Sequence, residues 1–130
     1  MSITYIKGDL LTSDAFYIAH GVNCGGVMGS GVALQIKEKY PEAYEDYRQF
    51  STLRHPMDLL GCVRKSATEG KIILNCFTQL HYGRTGQRFV SYDAVDDCMK
   101  TIQQIMVDAF SPKAKLAMPK IGAGLGGGQW

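Results

Sequence analysis

Hydrophobic positions along this chain follow two alternating patterns. Short apolar runs rich in β-branched and aliphatic residues occur from Ile3 to Lys7, Phe16 to Val22, Ile72 to Phe77 and Lys115 to Met118. Unbroken runs of this kind predict strands, the longer ones buried on both faces. Leu59 to Lys65 is a further candidate strand. Between the runs, apolar residues recur at helical spacing. Val32, Ala33, Ile36 and Tyr40 predict a helix with Ser30 as its N-cap. Pro41 ends that helix and opens another, with Ala43, Tyr47 and Phe50 on one face. A third helix is expected from about Tyr92 to Phe110, with a stripe of Val95, Cys98, Met99, Ile102, Ile105, Met106 and Ala109. Strands alternating with helices predict an α/β layered fold around a largely parallel sheet. With no repeat, linker or low-complexity segment, residues 1–130 read as one domain.

Ligands of open α/β sheets bind beyond the carboxyl ends of the strands, so the residues following each strand carry the functional expectation. After Val22 comes Asn23-Cys24-Gly25-Gly26-Val27-Met28-Gly29-Ser30-Gly31, running straight into a helix. After Phe77 comes Thr78-Gln79-Leu80-His81-Tyr82-Gly83-Arg84, and after Met118 comes Pro119-Lys120-Ile121-Gly122-Ala123-Gly124-Leu125-Gly126-Gly127-Gly128. Two of these three segments are glycine-rich. Glycine admits positive φ and close backbone approach, and successive amides beside a helix N-terminus make an anion site. Two such loops on one edge suit a diphosphate. Gly26, Gly29 and Gly31 do not give G-x-G-x-x-G, and no Gly-Lys-Ser/Thr follows, which disfavours a dinucleotide fingerprint or a P-loop.

Composition narrows the partners. The chain has 14 Lys+Arg against 12 Asp+Glu, a net charge of +2, without the clustered basic face of a nucleic-acid binder; no nucleic-acid partner is expected. No apolar run approaches the roughly 20 residues of a membrane span, and the chain opens directly on a strand pattern rather than a leader, so no membrane partner is expected. Cys24, Cys62, Cys76 and Cys98 are widely spaced, with no C-x-x-C pair and no matching histidine cluster. They read as free thiols of a cytoplasmic protein, with no metal and no cofactor implied.

The motifs resemble those of the macrodomain family, in order and spacing across nearly the whole chain. Ile3-Thr4-Tyr5-Ile6-Lys7-Gly8-Asp9-Leu10 is similar to the family's opening strand and Gly-Asp motif. Ala19-His20-Gly21-Val22-Asn23-Cys24 through Met28-Gly29-Ser30-Gly31-Val32-Ala33 resembles its first phosphate loop. Met118-Pro119-Lys120-Ile121-Gly122-Ala123-Gly124-Leu125, with Gln129-Trp130, resembles the second. The chain is most similar to the branch containing ADP-ribose 1''-phosphate phosphatases and terminal ADP-ribose protein glycohydrolases. His20-x-x-Asn23-Cys24 and the Tyr40-Pro41-Glu42-Ala43 helix break favour the phosphatase side.

The resemblance implies a three-layer α/β/α domain with a mixed, largely parallel central sheet, acting as a monomer on ADP-ribose, a derivative of it, or an ADP-ribosylated protein. It implies that Asp9 accepts from the adenine amino group beside the Leu10 backbone. Gly29, Ser30, Gly31 and Val32 would hold one phosphate through backbone amides. Gly122, Ala123, Gly124, Leu125 and Gly126 would hold the other phosphate and the distal ribose, with Thr78 and Asn23 completing the ligand set. Asn23 would face the distal ribose, where the reacting group sits. The family continues past this tryptophan with a helix and a strand that the sequence does not contain, so the expected domain lacks them.

Two departures bear on mechanism. The glycohydrolase branch places a lysine nucleophile where this chain has Gln79, and an aspartate where it has Gly126. An amide cannot form a Schiff base, which leaves direct attack by water. His20 is the expected general base, with His81 a second candidate and Asn23 orienting the water. Three functions follow: a phosphatase converting ADP-ribose 1''-phosphate to ADP-ribose, a hydrolase of an O-acyl-ADP-ribose or ester-linked ADP-ribosyl-protein, or a non-catalytic ADP-ribose reader.

Overall fold

A computed structural model of the chain describes residues 10–12, 14–29, 31–80, 91–109 and 115–119. The expected strand at 3–7 lies outside them. After a 3-10 turn at Leu10–Thr12, the described elements are β1 (Tyr17–Asn23), α1 (Gly31–Lys39), α2 (Pro41–Thr52), α3 (Pro56–Leu59), β2 (Val63–Thr68), β3 (Lys71–Gln79), α4 (Tyr92–Asp108) and β4 (Leu116–Ala117). They form a mixed sheet in the order β2-β3-β1-β4. β1 is parallel to both β3 and β4, and β2 pairs antiparallel with β3.

Alternation along β1 and β3 builds the three layers. Ile18 and Ile73 join Leu11, Ile36, Tyr40 and Ala43 beneath α1 and α2, and Val22 and Phe77 join Met28, Tyr47 and Leu59 further along the same face. Ala19, Leu74 and Cys76 point the opposite way, onto Cys98 and Ile102 of α4. Because β1 is covered on both sides, its residues are apolar almost without a break, the pattern expected of a central parallel strand.

The helix starts follow local chemistry. Pro41 occupies the first turn of α2, where its missing N–H costs nothing, and Ser91 caps α4 by accepting from the Ala94 amide at 3.2 Å. Three expectations shift. The strand expected from Leu59 begins at Val63 instead. Pro56 and a His55 side chain accepting from Met57 N first wind the short α3, which Leu59 ends, and Gly61 then turns the chain at φ 91°. In the α4 stripe, Ala94 is buried while Met99 is 36% exposed. β2 and β3 also form a hairpin not anticipated from the pattern. Thr68 pairs with Lys71 across Glu69 and Gly70, the latter at φ 76°, a conformation glycine adopts freely.

The order of the sheet locates a site. From β1 the chain crosses to the β2–β3 hairpin on one side, and from β3 it returns past β1 to β4 on the other. The carboxyl end of β1 is therefore the place where connections diverge, the usual ligand crevice of open α/β sheets. Phe77 sits under that end, fully buried and stacked on Tyr47 with ring centroids 5.6 Å apart. Phe77→Ala is expected to destabilise the protein by about 3–5 kcal/mol, read as a lower urea midpoint. A loss under about 1 kcal/mol would mean that this contact does not anchor α2 to the sheet.

Candidate functional site

β1 ends on Asn23, which pairs with Gln79 of β3 across a register shift between Val22 and Asn23. The next backbone bond, from Cys24 N to the Gln79 carbonyl at 3.0 Å, lets the chain leave the sheet. The Asn23 side chain then ties the outgoing loop to itself. Its Oδ1 accepts from Gly25 N at 3.0 Å and Val27 N at 3.3 Å, and its Nδ2 donates to the Val27 carbonyl at 2.8 Å. Local bonds of this kind are why asparagine suits turns. Tyr47 of α2 reaches the same residue, its hydroxyl lying 2.7 Å from the Asn23 carbonyl and 3.0 Å from Oδ1.

Past this clamp the loop runs through Gly26 at φ 79° to α1, whose first residue, Gly31, has φ 61°. A Cβ at Gly31 would have no atom within 4 Å, whereas one at Gly29 would stand 3.4 Å from Val27 Cγ1. Gly31 and Val32 lie in the first turn of α1, where amides have no acceptor within the helix. Thr78, next to the end of β3, is buried, and its Oγ1 has no hydrogen-bond partner among the described residues. The carboxyl edge thus carries Asn23, Thr78, Gly29, Gly31 and Val32 together. Leu10 packs with Val32 against the cluster of Leu11, Ile18 and Ile36. Asp9, Ser30, His81 and Gly122, Ala123, Gly124, Leu125 and Gly126 lie outside the described residues.

Two findings reshape the catalytic expectation. His20 is 1% exposed in the interior of the sheet, paired with Asn75 in register, with Nε2 and Asn75 Oδ1 2.6 Å apart. Asn75 Nδ2 donates to Ser66 Oγ at 3.0 Å, and Ser66 Oγ donates to Asp46 Oδ2 at 2.6 Å. Arg64 closes the row with two bonds of 2.9 Å to the Asp46 carboxylate. Because the Asn75 amide donates outward, its oxygen accepts, and Nε2 is the nitrogen that carries hydrogen. Burial pulls the His20 pKa down to about 4, against a smaller upward pull from Asn75. In this setting His20 is a buried, neutral member of the polar row, held by Asn75. Asp46 at the far end stays ionised. The bond from Arg64 lowers its pKa most, and Ser66 adds to that against the cost of burial.

Cys24 is the other group next to Asn23 with nucleophilic chemistry. Burial pushes its thiol up to about 11, with further upward contributions from Cys62 and Cys98. It stays a thiol at neutral pH, and thiolate is the reactive form. Gln79, where a lysine nucleophile was looked for, sits directly across from Asn23. Sequence reasoning missed Tyr47 as a site residue because its helical spacing marked it simply as core.

The Macro domain family model matches residues 19–130, and the chain belongs to that family. It is 32% identical to the DNA ADP-ribosyl glycohydrolase of Mycobacterium tuberculosis over 98% of this chain, and it spans 35% of that relative's length. It is 30% identical to the ADP-ribose 1''-phosphate phosphatase of Scheffersomyces stipitis, covering 98% of this chain and 88% of the relative. Among solved structures, the macrodomain of M. tuberculosis DarG superposes with a TM-score of 0.83 at 30% identity, over 99% of this chain and 82% of that one. The mixed sheet with helices on both faces is accordingly the macrodomain fold.

The buried, neutral state of His20 has a signed consequence. Below an ordinary value of 6.5 the unfolded chain takes up a proton, while the folded ring does so only near pH 4. Stability should therefore be level above about pH 6.5 and fall by about 2 kcal/mol between pH 7 and pH 5. Urea unfolding at the two pH values should show this loss in the wild type and a smaller one in His20→Gln. Equal losses in both proteins would assign the acid sensitivity to other groups.

Proposed function

We propose that this chain is an ADP-ribose-binding hydrolase that converts ADP-ribose 1''-phosphate to ADP-ribose. The observation that carries this reading is the loop clamped by Asn23, which leaves the central strand and ends in the first turn of α1 at the diverging point of the sheet. Backbone amides of Gly31 and Val32 face the diphosphate in this reading, supplying fixed partial positive charge without a metal. The Asn23 amide and Thr78 meet the distal ribose. The resemblance adds Asp9 beside the adenine and Gly122, Ala123, Gly124, Leu125 and Gly126 beside the second phosphate and distal ribose.

The chemistry is direct displacement by water. Water oxygen bonds to the terminal phosphorus, the bond from phosphorus to the ribose oxygen breaks, and that oxygen leaves with a proton as the ribose hydroxyl. Inorganic phosphate is the second product. Gln79 supplies no amine, and the Cys24 thiol stays protonated, so neither forms a covalent intermediate. The phosphatase named for S. stipitis, aligned along most of its length, supports this assignment, and glutamine at position 79 speaks against lysine-dependent deglycosylation. The same lack of a nucleophile favours a second reading, an ADP-ribose reader without turnover.

One set of measurements separates these readings. Calorimetry should give ADP-ribose an affinity of about 1 μM, near −8 kcal/mol, with AMP far weaker because it lacks the second phosphate and the distal ribose. Turnover should then be compared on ADP-ribose 1''-phosphate, O-acetyl-ADP-ribose, ester-linked ADP-ribosyl-protein and ADP-ribosylated DNA. The phosphate ester is expected to react fastest. ADP-ribose binding without turnover of any of the four would establish the reader, and equal affinity for AMP and ADP-ribose would remove the diphosphate site altogether.

The loop geometry yields a companion test. Gly26→Ala places a Cβ at φ 79°, a strain of about 1–2 kcal/mol. The variant should bind ADP-ribose more weakly while its unfolding stays cooperative. Unchanged affinity in that variant would separate the shape of the loop from binding.

A further inference from the structure

Tyr47 does more than fill the core beneath the site. Its ring is fully buried and stacked on Phe77, and its hydroxyl points into the neighbouring loop, at the carbonyl and side-chain oxygen of Asn23 and the Gly26 and Val27 amides. Burial holds the phenol well above its ordinary pKa, so it remains a donor at any physiological pH. Asn23 Oδ1 accepts from Gly25 N and Val27 N, which match its two lone pairs, and the one hydrogen of the Tyr47 hydroxyl is shared between Oδ1 and the Asn23 carbonyl. Nδ2 spends one of its two hydrogens on the Val27 carbonyl. The second hydrogen is the only hydrogen-bonding capacity of the side chain not taken up among the described residues.

We propose that Tyr47 is a positioning residue that fixes Asn23 as a donor-only group, so that the reacting end of the ligand is recognised through an acceptor oxygen, from a phosphate or a ribose hydroxyl. The inference rests on the ADP-ribose reading for the identity of the ligand, and on the geometry of β1 and α2 for the polarity of Asn23. Without the Tyr47 hydroxyl, the hydrogen shared between the amide oxygen and the Asn23 carbonyl is gone. The amide then has less reason to present its hydrogens outward.

The experiment compares wild type, Tyr47→Phe, Asn23→Asp, Asn23→Ala and the Tyr47→Phe/Asn23→Ala double variant, with Tyr44→Phe as a control one turn away. The fold of each is checked by thermal unfolding, and all are assayed well below the melting temperature. The first readout needs no ligand. The Asn23 side-chain NH2 signals in a 15N spectrum, identified by their loss in Asn23→Ala, should shift and exchange faster with solvent in Tyr47→Phe but not in Tyr44→Phe. The second is calorimetry with ADP-ribose. Tyr47→Phe should bind about tenfold more weakly, and the same change in the Asn23→Ala background should cost much less. Asn23→Asp, which replaces the donor with an acceptor, should bind worse than Asn23→Ala. Unmoved Asn23 signals together with wild-type affinity in Tyr47→Phe would overturn the positioning role. Asn23→Asp binding as well as wild type would overturn the donor-only assignment. Shifted Asn23 signals in a protein whose wild type does not bind ADP-ribose would sink the functional reading and leave the Tyr47 clamp standing.

Discussion

The bond between a buried tyrosine and the last residue of the central strand is the constraint on which this site depends. A chain leaving a parallel sheet must find partners for its backbone groups within a few residues. Here the exit is a glycine-rich run that Cys24 and Met28 anchor in the core. Asn23 closes the turn onto itself through Gly25 and Val27, and Tyr47 fastens the closed turn to α2. Glycines at 26 and 31 then bring the chain into α1 through conformations that side chains resist. Remove the fastening and the glycines retain their freedom but lose their shape.

That arrangement gives α2 two duties on one face. Its apolar residues, Ala43 and Tyr47, are fully buried against the sheet and the loop. Between them on the chain, Asp46 receives the end of a polar row that starts at His20 inside the sheet. Each member of the row donates toward the carboxylate, which Arg64 balances. Buried polar groups are costly unless satisfied, and apart from His20 Nδ1, which has no partner among the described residues, the row satisfies its members at one register only. We read the row as setting how α2 lies across β1, β3 and β2, and therefore where Tyr47 meets Asn23.

The layered architecture was legible because it is written in periodicity. The unbroken apolar runs at β1 and β3 and the heptad-like stripe of α4 report burial directly, and the family motifs reported the order of the loops. Boundaries governed by local caps were less legible. Leu59 carries the side chain of a strand but ends a helical turn that Pro56 and His55 begin. The candidate loop was readable in its backbone, at Gly29, Gly31 and Val32, since glycine spacing exposes it. Depth was less readable. A histidine three positions before Asn23 offers the right pKa on paper, but a strand alternates faces, and position 20 turns into the sheet toward Asn75. Tyr47 was visible only as an apolar position, because periodicity records that a ring is buried and is silent on where its hydroxyl goes.

These depths also constrain the reaction. Among the described residues, three groups with acid–base or nucleophilic chemistry on or beside β1 are held in unreactive forms: His20 neutral within the sheet, Cys24 as a thiol, Tyr47 as a phenol. Beside them, the described residues of the edge offer fixed donors, namely the amides of the first turn of α1 and one amide hydrogen of Asn23. Fixed donors stabilise charge that grows on oxygen during a displacement, and they do so without reorganising. They do little for a step that needs a covalent adduct or proton abstraction by the protein. A phosphate ester brings its own charged oxygens, and its leaving oxygen needs chiefly to be oriented and neutralised. Cleavage of an N-glycosidic link asks the protein for more. In the proposed phosphatase reading, the chemistry of this framework resides in how the backbone is held.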